Sequence, residues 1–141
     1  MIIRPMKDED LKDVARLFAK EYAKPPWDVN APIDDTLASV TFFYTRGAGF
    51  VAEEESIVGA LIYDIELYQK GEVATIKEFV VSADQQRKGI GTKLLLAFEE
   101  QCKDMLLLKL GTNKDADAVK FYESLGYVPE KNALSMIKIL E

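Results

Sequence analysis

The residues Gln86-Arg87-Lys88-Gly89-Ile90-Gly91-Thr92 have the makings of an anion cradle. An apolar run, Ile76 to Val81, leads into them, and a leucine-rich helical pattern from Lys93 to Cys102 follows. A strand, a glycine turn and a helix start set a row of backbone N–H groups at a positive dipole end, which suits a pyrophosphate. Two familiar phosphate loops fail on spacing. A Walker loop needs Gly-x4-Gly-Lys-Ser/Thr, and here only Gly89 and Gly91 precede Thr92-Lys93. A dinucleotide fingerprint needs Gly or Ala three residues after its second glycine, and that position is Leu94.

Just upstream, Glu78 is the candidate general base. Regular alternation along a strand puts Glu78 on one face with Ile76 and Val80, and Lys77 on the other. Desolvation on an apolar face raises a carboxyl pKa, which suits a base needed near neutral pH. The competing reading is a salt bridge to a lysine or arginine from another element. The chain has no histidine, which removes Ser-His-Asp and Cys-His catalysis and leaves no zinc cluster. Acid–base work falls to Asp, Glu, Lys, Tyr or Cys.

The spacing Gln/Arg-x-x-Gly-x-Gly/Ala at Gln86–Gly91 resembles the acyl-CoA pyrophosphate loop of the GNAT superfamily of N-acetyltransferases. A second stretch, Asp115-Ala116-Asp117-Ala118-Val119-Lys120-Phe121-Tyr122-Glu123-Ser124-Leu125-Gly126-Tyr127, resembles that family's Asn-x-x-Ala-x-x-Leu/Phe-Tyr-x-x-x-Gly-Phe signature. The resemblance spans nearly the whole chain and implies acetyl-CoA (coenzyme A) as co-substrate, with no metal. It gives Gln86, Arg87, Lys88, Gly89, Ile90, Gly91 and Thr92 to the pyrophosphate. Backbone groups of Phe79, Val80 and Val81 are given to the pantetheine arm as an added strand, with an N–H near Val81 for the oxyanion. Glu78 becomes the base, commonly acting through a water, and Tyr122 the hydroxyl that protonates the departing thiolate. A free thiol has a pKa near 8.5, so loss of that proton donor should slow turnover rather than abolish it. A core tyrosine beside Phe121 is the plainer reading of Tyr122. Asp115 stands where the family has Asn; it caps a helix as well, but an ionised carboxylate donates no hydrogen bond.

These residues need a scaffold, and the periodicities supply one. Met1 to Met6 reads as a strand, and Asp8 caps a helix with Leu11, Val14, Ala15 and Phe18 at i, i+3, i+4 and i+7. Pro25-Pro26 stops it, and a structured loop holding Trp27 runs to Ile33. Asp34 or Asp35 starts a second helix with Leu37, Val40, Phe43 and Tyr44, ended by Gly47. Gly49 to Glu53, Ile57 to Leu67 and Glu72 to Val81 read as three strands. In the helix after the glycine turn, Leu95, Phe98 and Cys102 share a stripe. Met105 to Leu110 is continuously apolar, the pattern of a strand buried on both faces. A last helix starts near Asp115 and ends at Gly126, and Leu134 to Leu140 closes as a strand. The order β-α-α-β-β-β-α-β-α-β is that of the GNAT fold, an α/β (α+β) mixed sheet with helices on both faces.

At 141 residues the chain reads as a single N-acetyltransferase domain, 1–141. It holds no ~20-residue apolar run of the kind that spans a membrane. Its start runs into charged residues rather than a signal peptide, and one cysteine, Cys102, fits a reducing cytoplasm. A net charge of −6, from 24 acidic and 18 basic residues, disfavours nucleic acid as a partner. The basic side chains Arg87, Lys88 and Lys93, with Lys114 and Lys120 further on, gather near the cradle. For the acceptor, the resemblance points to Tyr22, Trp27, Asp28, Tyr44, Asp64 and Glu66. Three carboxylates and several aromatics suit a cationic amine. Equally, Trp27 could anchor its loop and Asp64 could be solvated. The expected activity is direct acetyl transfer from acetyl-CoA to a primary amine of a small molecule; the alternative is a non-catalytic acyl-CoA-binding sensor or regulatory module. Homodimers are common among the proteins it resembles.

Overall fold

In the computed structural model of the chain, residues 1–25, 27–86, 88–112 and 116–140 are described. They form two compact units, Met1–Leu110 and Gly111–Glu141. The first unit carries a five-stranded sheet: β1 (Ile2–Pro5), β2 (Gly47–Glu53), β3 (Ile57–Tyr68), β4 (Gly71–Val81) and β5 (Leu107–Leu110), ordered as numbered. The first four pair antiparallel, while β5 joins β4 in parallel. Three helices belong to it: α1 (Leu11–Tyr22), α2 (Ile33–Arg46) and α3 (Ile90–Gln101). The second unit has α4 (Ala118–Ser124).

Alternation along β3 assigns the helices to opposite faces. Ala60 and Ile62 belong to a cluster with Val14 and Phe18 of α1 and Val40 of α2, together with Met6 and Val51. The intervening residues face α3: a side chain at Gly59 would meet Leu94 and Ile90, and the Tyr63 ring lies 4.9 Å from that of Phe98. The mixed sheet with helices on both faces is therefore as expected. Burying Val14, Phe18, Val40, Val51 and Ile62 to 1 % exposure or less removes enough apolar surface to hold α1 and α2 in place, at roughly 1.5–3 kcal/mol for each large side chain.

Several local expectations change. The start of α1 is tied by Asp10, not by Asp8: a 3-10 turn at Asp8–Asp10 precedes the helix. The Asp10 carboxylate accepts from the Lys7 N–H at 2.8 Å and from both terminal nitrogens of Arg4 at 2.8 and 2.9 Å. That guanidinium holds the Asp10 pKa below its usual value. Gly47 ends α2 and at once begins β2. It is required for close approach, since a Cβ there would run into the Tyr63 carbonyl oxygen. Met105–Leu110 yields only Leu107–Leu110 as strand, and Leu107 is 44 % exposed rather than buried on both faces. Within this unit β5 is the edge strand, with one ladder neighbour. Leu134–Leu140 has no strand assignment, and its apolar residues are 80 % or more exposed. Apolar alternation makes a strand only where a neighbouring ladder takes up its backbone groups.

Candidate active site

The feature that sets the site is a break in β4. Its register against β3 shifts between Ile62, which faces Glu78, and Tyr63, which faces Ile76. Lys77 is the extra residue of a β-bulge. Regular alternation would put Glu78 and Ile76 on one face; the bulge separates them. Ile76 shares the α3 side with Tyr63, whereas Glu78 lies with Ile62 and Val80 on the α1–α2 side. Lys77 turns to Asp64, with 3.9 Å between Nζ and Oδ2.

Half-buried there, Glu78 accepts a hydrogen bond at 2.9 Å from the hydroxyl of Tyr22, in the last turn of α1. Burial pushes the Glu78 pKa above the ordinary carboxylate range, and the Tyr22 hydrogen bond partly opposes it. Among the described residues no lysine or arginine pairs with Glu78. Tyr22 sits between Phe18 and Trp27, with ring centroids 5.4 and 5.7 Å away.

The ladder between β4 and β5 runs from Val73↔Leu107 to Ile76↔Leu110 and stops at the bulge. Phe79, Val80 and Val81 lie beyond it, still paired with Leu61, Ala60 and Gly59 of β3. A strand continuing past the end of its neighbour's ladder offers a backbone edge to an extended ligand.

After Val81 the chain makes a 3-10 turn, Ala83–Gln85, and enters the glycine segment. Gln86 Nε2 donates to the Val81 carbonyl at 3.1 Å, and Lys88 Nζ donates to Gln85 Oε1 at 3.1 Å. Arg87 lies outside the described residues. Gly89 precedes α3 with φ of 77°, the left-handed region that glycine enters without strain. Around it, the volume a Cβ would take has no heavy atom within 4 Å. Gly89, the N-cap of α3, makes no side-chain cap, and the N–H groups of Ile90, Gly91 and Thr92, at the first turn, have no intrahelical acceptor. An open turn with uncapped amides fits a pyrophosphate.

In the second unit the signature makes a complete helix stop. Gly126 has φ of 95°, its N–H donates to the Glu123 carbonyl at 3.1 Å, and the Tyr127 N–H reaches the Tyr122 carbonyl at 3.1 Å. That pair of bonds is a Schellman motif. The rings of Tyr122 and Tyr127 close it at 6.0 Å, with Phe121 at 5.3 Å from Tyr122. The Tyr-x-x-x-Gly-aromatic spacing thus has a structural reason of its own. Burial raises the Tyr122 pKa, which keeps the hydroxyl protonated. Asp115, with Asn113 and Lys114, lies outside the described residues.

The profile of the Acetyltransferase (GNAT) family matches residues 11–127. The chain belongs to that family. No curated protein matches it in sequence. Among solved structures, a "possible acetyltransferase from Clostridium difficile 630" superposes with a TM-score of 0.84 at 19 % identity, covering 99 % of this chain and 98 % of that one. An aminoglycoside acetyltransferase from an uncultured soil metagenomic sample, in complex with sisomicin, gives 0.74 at 23 % identity, covering 99 % and 96 %. The ribosomal-protein-alanine N-acetyltransferase of Brucella melitensis biovar Abortus 2308 gives 0.77 at 16 %, covering 98 % and 100 %. At such identities the likeness is one of fold.

Within this GNAT chain the six acceptor candidates divide. Tyr44 is committed structurally, its hydroxyl donating to the Met6 carbonyl at 2.9 Å. Glu66 accepts from Thr75 at 3.3 Å. One buried oxygen of Asp64 has no hydrogen-bond partner among the described residues. Trp27 is 59 % exposed beside Tyr22, and Asp28 holds a positive φ of 50° in the same loop. Tyr22 itself meets Glu78, a role that its sequence position did not reveal. A cleft of about 460 Å3 lies between α1 and the β2–β3 hairpin, lined by residues such as Arg16, Lys20, Ser56 and Gln85. Neither Glu78 nor Gly89 lines it. No helix among the described residues is long and apolar enough to cross a membrane, and none of their His, Cys, Asp and Glu side chains group to hold a metal.

Proposed function

We propose that the chain is an acetyl-CoA-dependent N-acetyltransferase, with units Met1–Leu110 and Gly111–Glu141 as parts of one domain over 1–141. Its acceptor in this reading is a primary amine of a small molecule. The observation that carries the proposal is the β4 bulge. It separates Glu78 from Ile76, leaves its carboxyl half-buried without a cationic partner among the described residues, and coincides with the end of the β5 ladder.

Acetyl-CoA supplies the acetyl group as a thioester. The amides of Gln86 to Thr92 would hold its pyrophosphate, and the backbone of Phe79, Val80 and Val81 its pantetheine arm. An acceptor amine arrives as an ammonium with a pKa near 10, like lysine. Glu78, with its raised pKa, takes the proton, directly or through a water, so that the nitrogen lone pair can attack. As the C–N bond forms, an N–H near Val81 would stabilise the oxyanion; as the C–S bond breaks, the Tyr122 hydroxyl would protonate the leaving thiolate, and the second proton of the attacking nitrogen would restore that hydroxyl through water. Carboxylates at Asp64 and Glu66 and the exposed Trp27 support a cationic acceptor, and a cytoplasmic setting with its acetyl-CoA supply belongs to the same reading.

The test is acetyl-CoA-dependent thiol release against separate pools of polyamines, aminoglycosides, amino acids and short peptides. Release above the amine-free background with a small-molecule pool is the expected result. Release with peptides alone would move the acceptor to protein substrates. Acetyl-CoA binding without release from any pool would make the chain a non-catalytic acyl-CoA-binding module.

A further inference from the structure

The core-facing side of α1 carries a carboxylate where burial favours an apolar side chain. Glu21 is 5 % exposed, seven residues after Val14 and three after Phe18 on the same helix. A buried carboxylate is costly unless hydrogen bonds and charge compensate it. Two groups do so. Its Oε2 accepts from Lys24 Nζ at 3.0 Å, and its Oε1 accepts from the backbone N–H of Ala83 at 3.2 Å.

Ala83 is the first residue of the 3-10 turn that runs into the glycine segment. First-turn amides of a helix have no intrahelical acceptor, so Glu21 satisfies an orphan donor from another element. From there the chain is knit to itself: the Gln85 N–H donates to the Ser82 carbonyl, Gln86 Nε2 to the Val81 carbonyl, and Lys88 to Gln85. Among the described residues, its hydrogen-bonded ties to other elements are the Ser82 N–H to the Val58 carbonyl of β3, at 2.8 Å, and the Glu21 bond from α1. The neighbouring residue, Tyr22, holds Glu78. One turn of α1 therefore reaches both the candidate base and the path into the cradle.

We infer that Glu21 is a positioning residue for the cofactor loop, fixing through the Ala83 amide where Gln86–Thr92 begins. The inference rests on the acetyl-CoA reading above. The Lys24 ammonium, three residues further along the same stretch of chain, offsets the buried charge and so bears on stability rather than on where the loop begins. The Ala83 bond carries it, and a glutamine oxygen can accept that bond while alanine cannot.

The experiment measures acetyl-CoA dissociation constants by calorimetry for the intact protein and for Glu21→Ala, Glu21→Gln and Lys24→Met. Melting temperature and amide exchange of residues 83–91 are recorded on the same samples. For Glu21→Ala, about a tenfold weaker affinity is expected, the size of effect of one charge-assisted hydrogen bond. Exchange should be faster at 83–91. In turnover, KM for acetyl-CoA should rise with kcat within about twofold. Glu21→Gln should recover most of the affinity, and Lys24→Met should match the parent. If Glu21→Ala is too unstable to purify, Glu21→Gln against Glu21→Leu gives the same contrast with the volume kept. Unchanged affinity and exchange in folded Glu21→Ala or Glu21→Leu would overturn the inference while leaving the acetyl-CoA reading intact. A parent protein that binds no acetyl-CoA would instead remove that reading, and the inference with it.

Discussion

From Val73 to Ile76, β4 has β3 on one side and β5 on the other, and all four residues are buried. From Lys77 to Val81 it keeps β3 but has passed the end of β5, and none of the five residues is fully buried. The first half has its backbone groups committed to two ladders. The second half, past one extra residue, has a backbone edge beyond the β5 ladder and an acid turned toward α1. The bulge at Lys77 marks the change from one condition to the other within a single strand, and turns the Glu78 carboxyl to the face opposite Ile76.

The sharpest way to break this contrast is Glu78→Gln. The amide keeps the volume and can still accept from Tyr22, but it removes the basicity. Turnover at neutral pH should fall by about 10²–10⁴-fold, with acetyl-CoA affinity unchanged. Stability should move the other way. A carboxyl whose folded pKa is raised contributes stability below its unfolded pKa and loses it as pH rises through the folded value. Above that window Glu78→Gln should therefore melt higher than the parent. Turnover within a few-fold of the parent would place the base elsewhere.

How much of this was legible in the sequence depends on range. The helices of the first unit, the left-handed turn at Gly89 and the stop at Gly126 follow from spacing within a dozen residues, and each is formed. The bulge left no such trace: Ile76-Lys77-Glu78 reads as ordinary alternation, and only the register against β3 reveals the extra residue. Glu21 and Tyr22 gave a partial signal, an acid and a phenol continuing the stripe of Val14 and Phe18, but their partners lie 62 and 56 residues away. Leu107 and Leu134–Leu140 mislead for the opposite reason. Their apolar runs are strong, yet strand character and burial depend on neighbours that a one-dimensional pattern does not contain.

A milder change sharpens the contrast at its functional end. Tyr22→Phe keeps the ring between Phe18 and Trp27 and deletes only the hydroxyl that donates to Glu78. That bond lowers the Glu78 pKa against the effect of burial. Without it the pKa rises, a larger fraction of the base is protonated near neutrality, and the acid limb of the kcat–pH profile moves to higher pH. At the alkaline plateau kcat should return close to the parent value, because the base itself is retained. A uniform loss at every pH, with no displacement of the limb, would mean that Tyr22 acts by packing alone.

The smallest effect belongs to the structural half. Ile76 is 8 % exposed, facing Tyr63 across one ladder and Leu110 across the other. Ile76→Val removes one buried methyl group and keeps the β-branched shape, so it should cost about 0.5–1.5 kcal/mol. Denaturation should show a lower midpoint with an unchanged slope. Because the bulge puts Ile76 and Glu78 on opposite faces, the lost methyl lies on the α3 side and the base on the α1 side. The kcat and its pH profile should therefore match the parent. A shifted acid limb in Ile76→Val would show strain passing through Lys77 to Glu78, and the two halves of β4 would then be one mechanical unit rather than two.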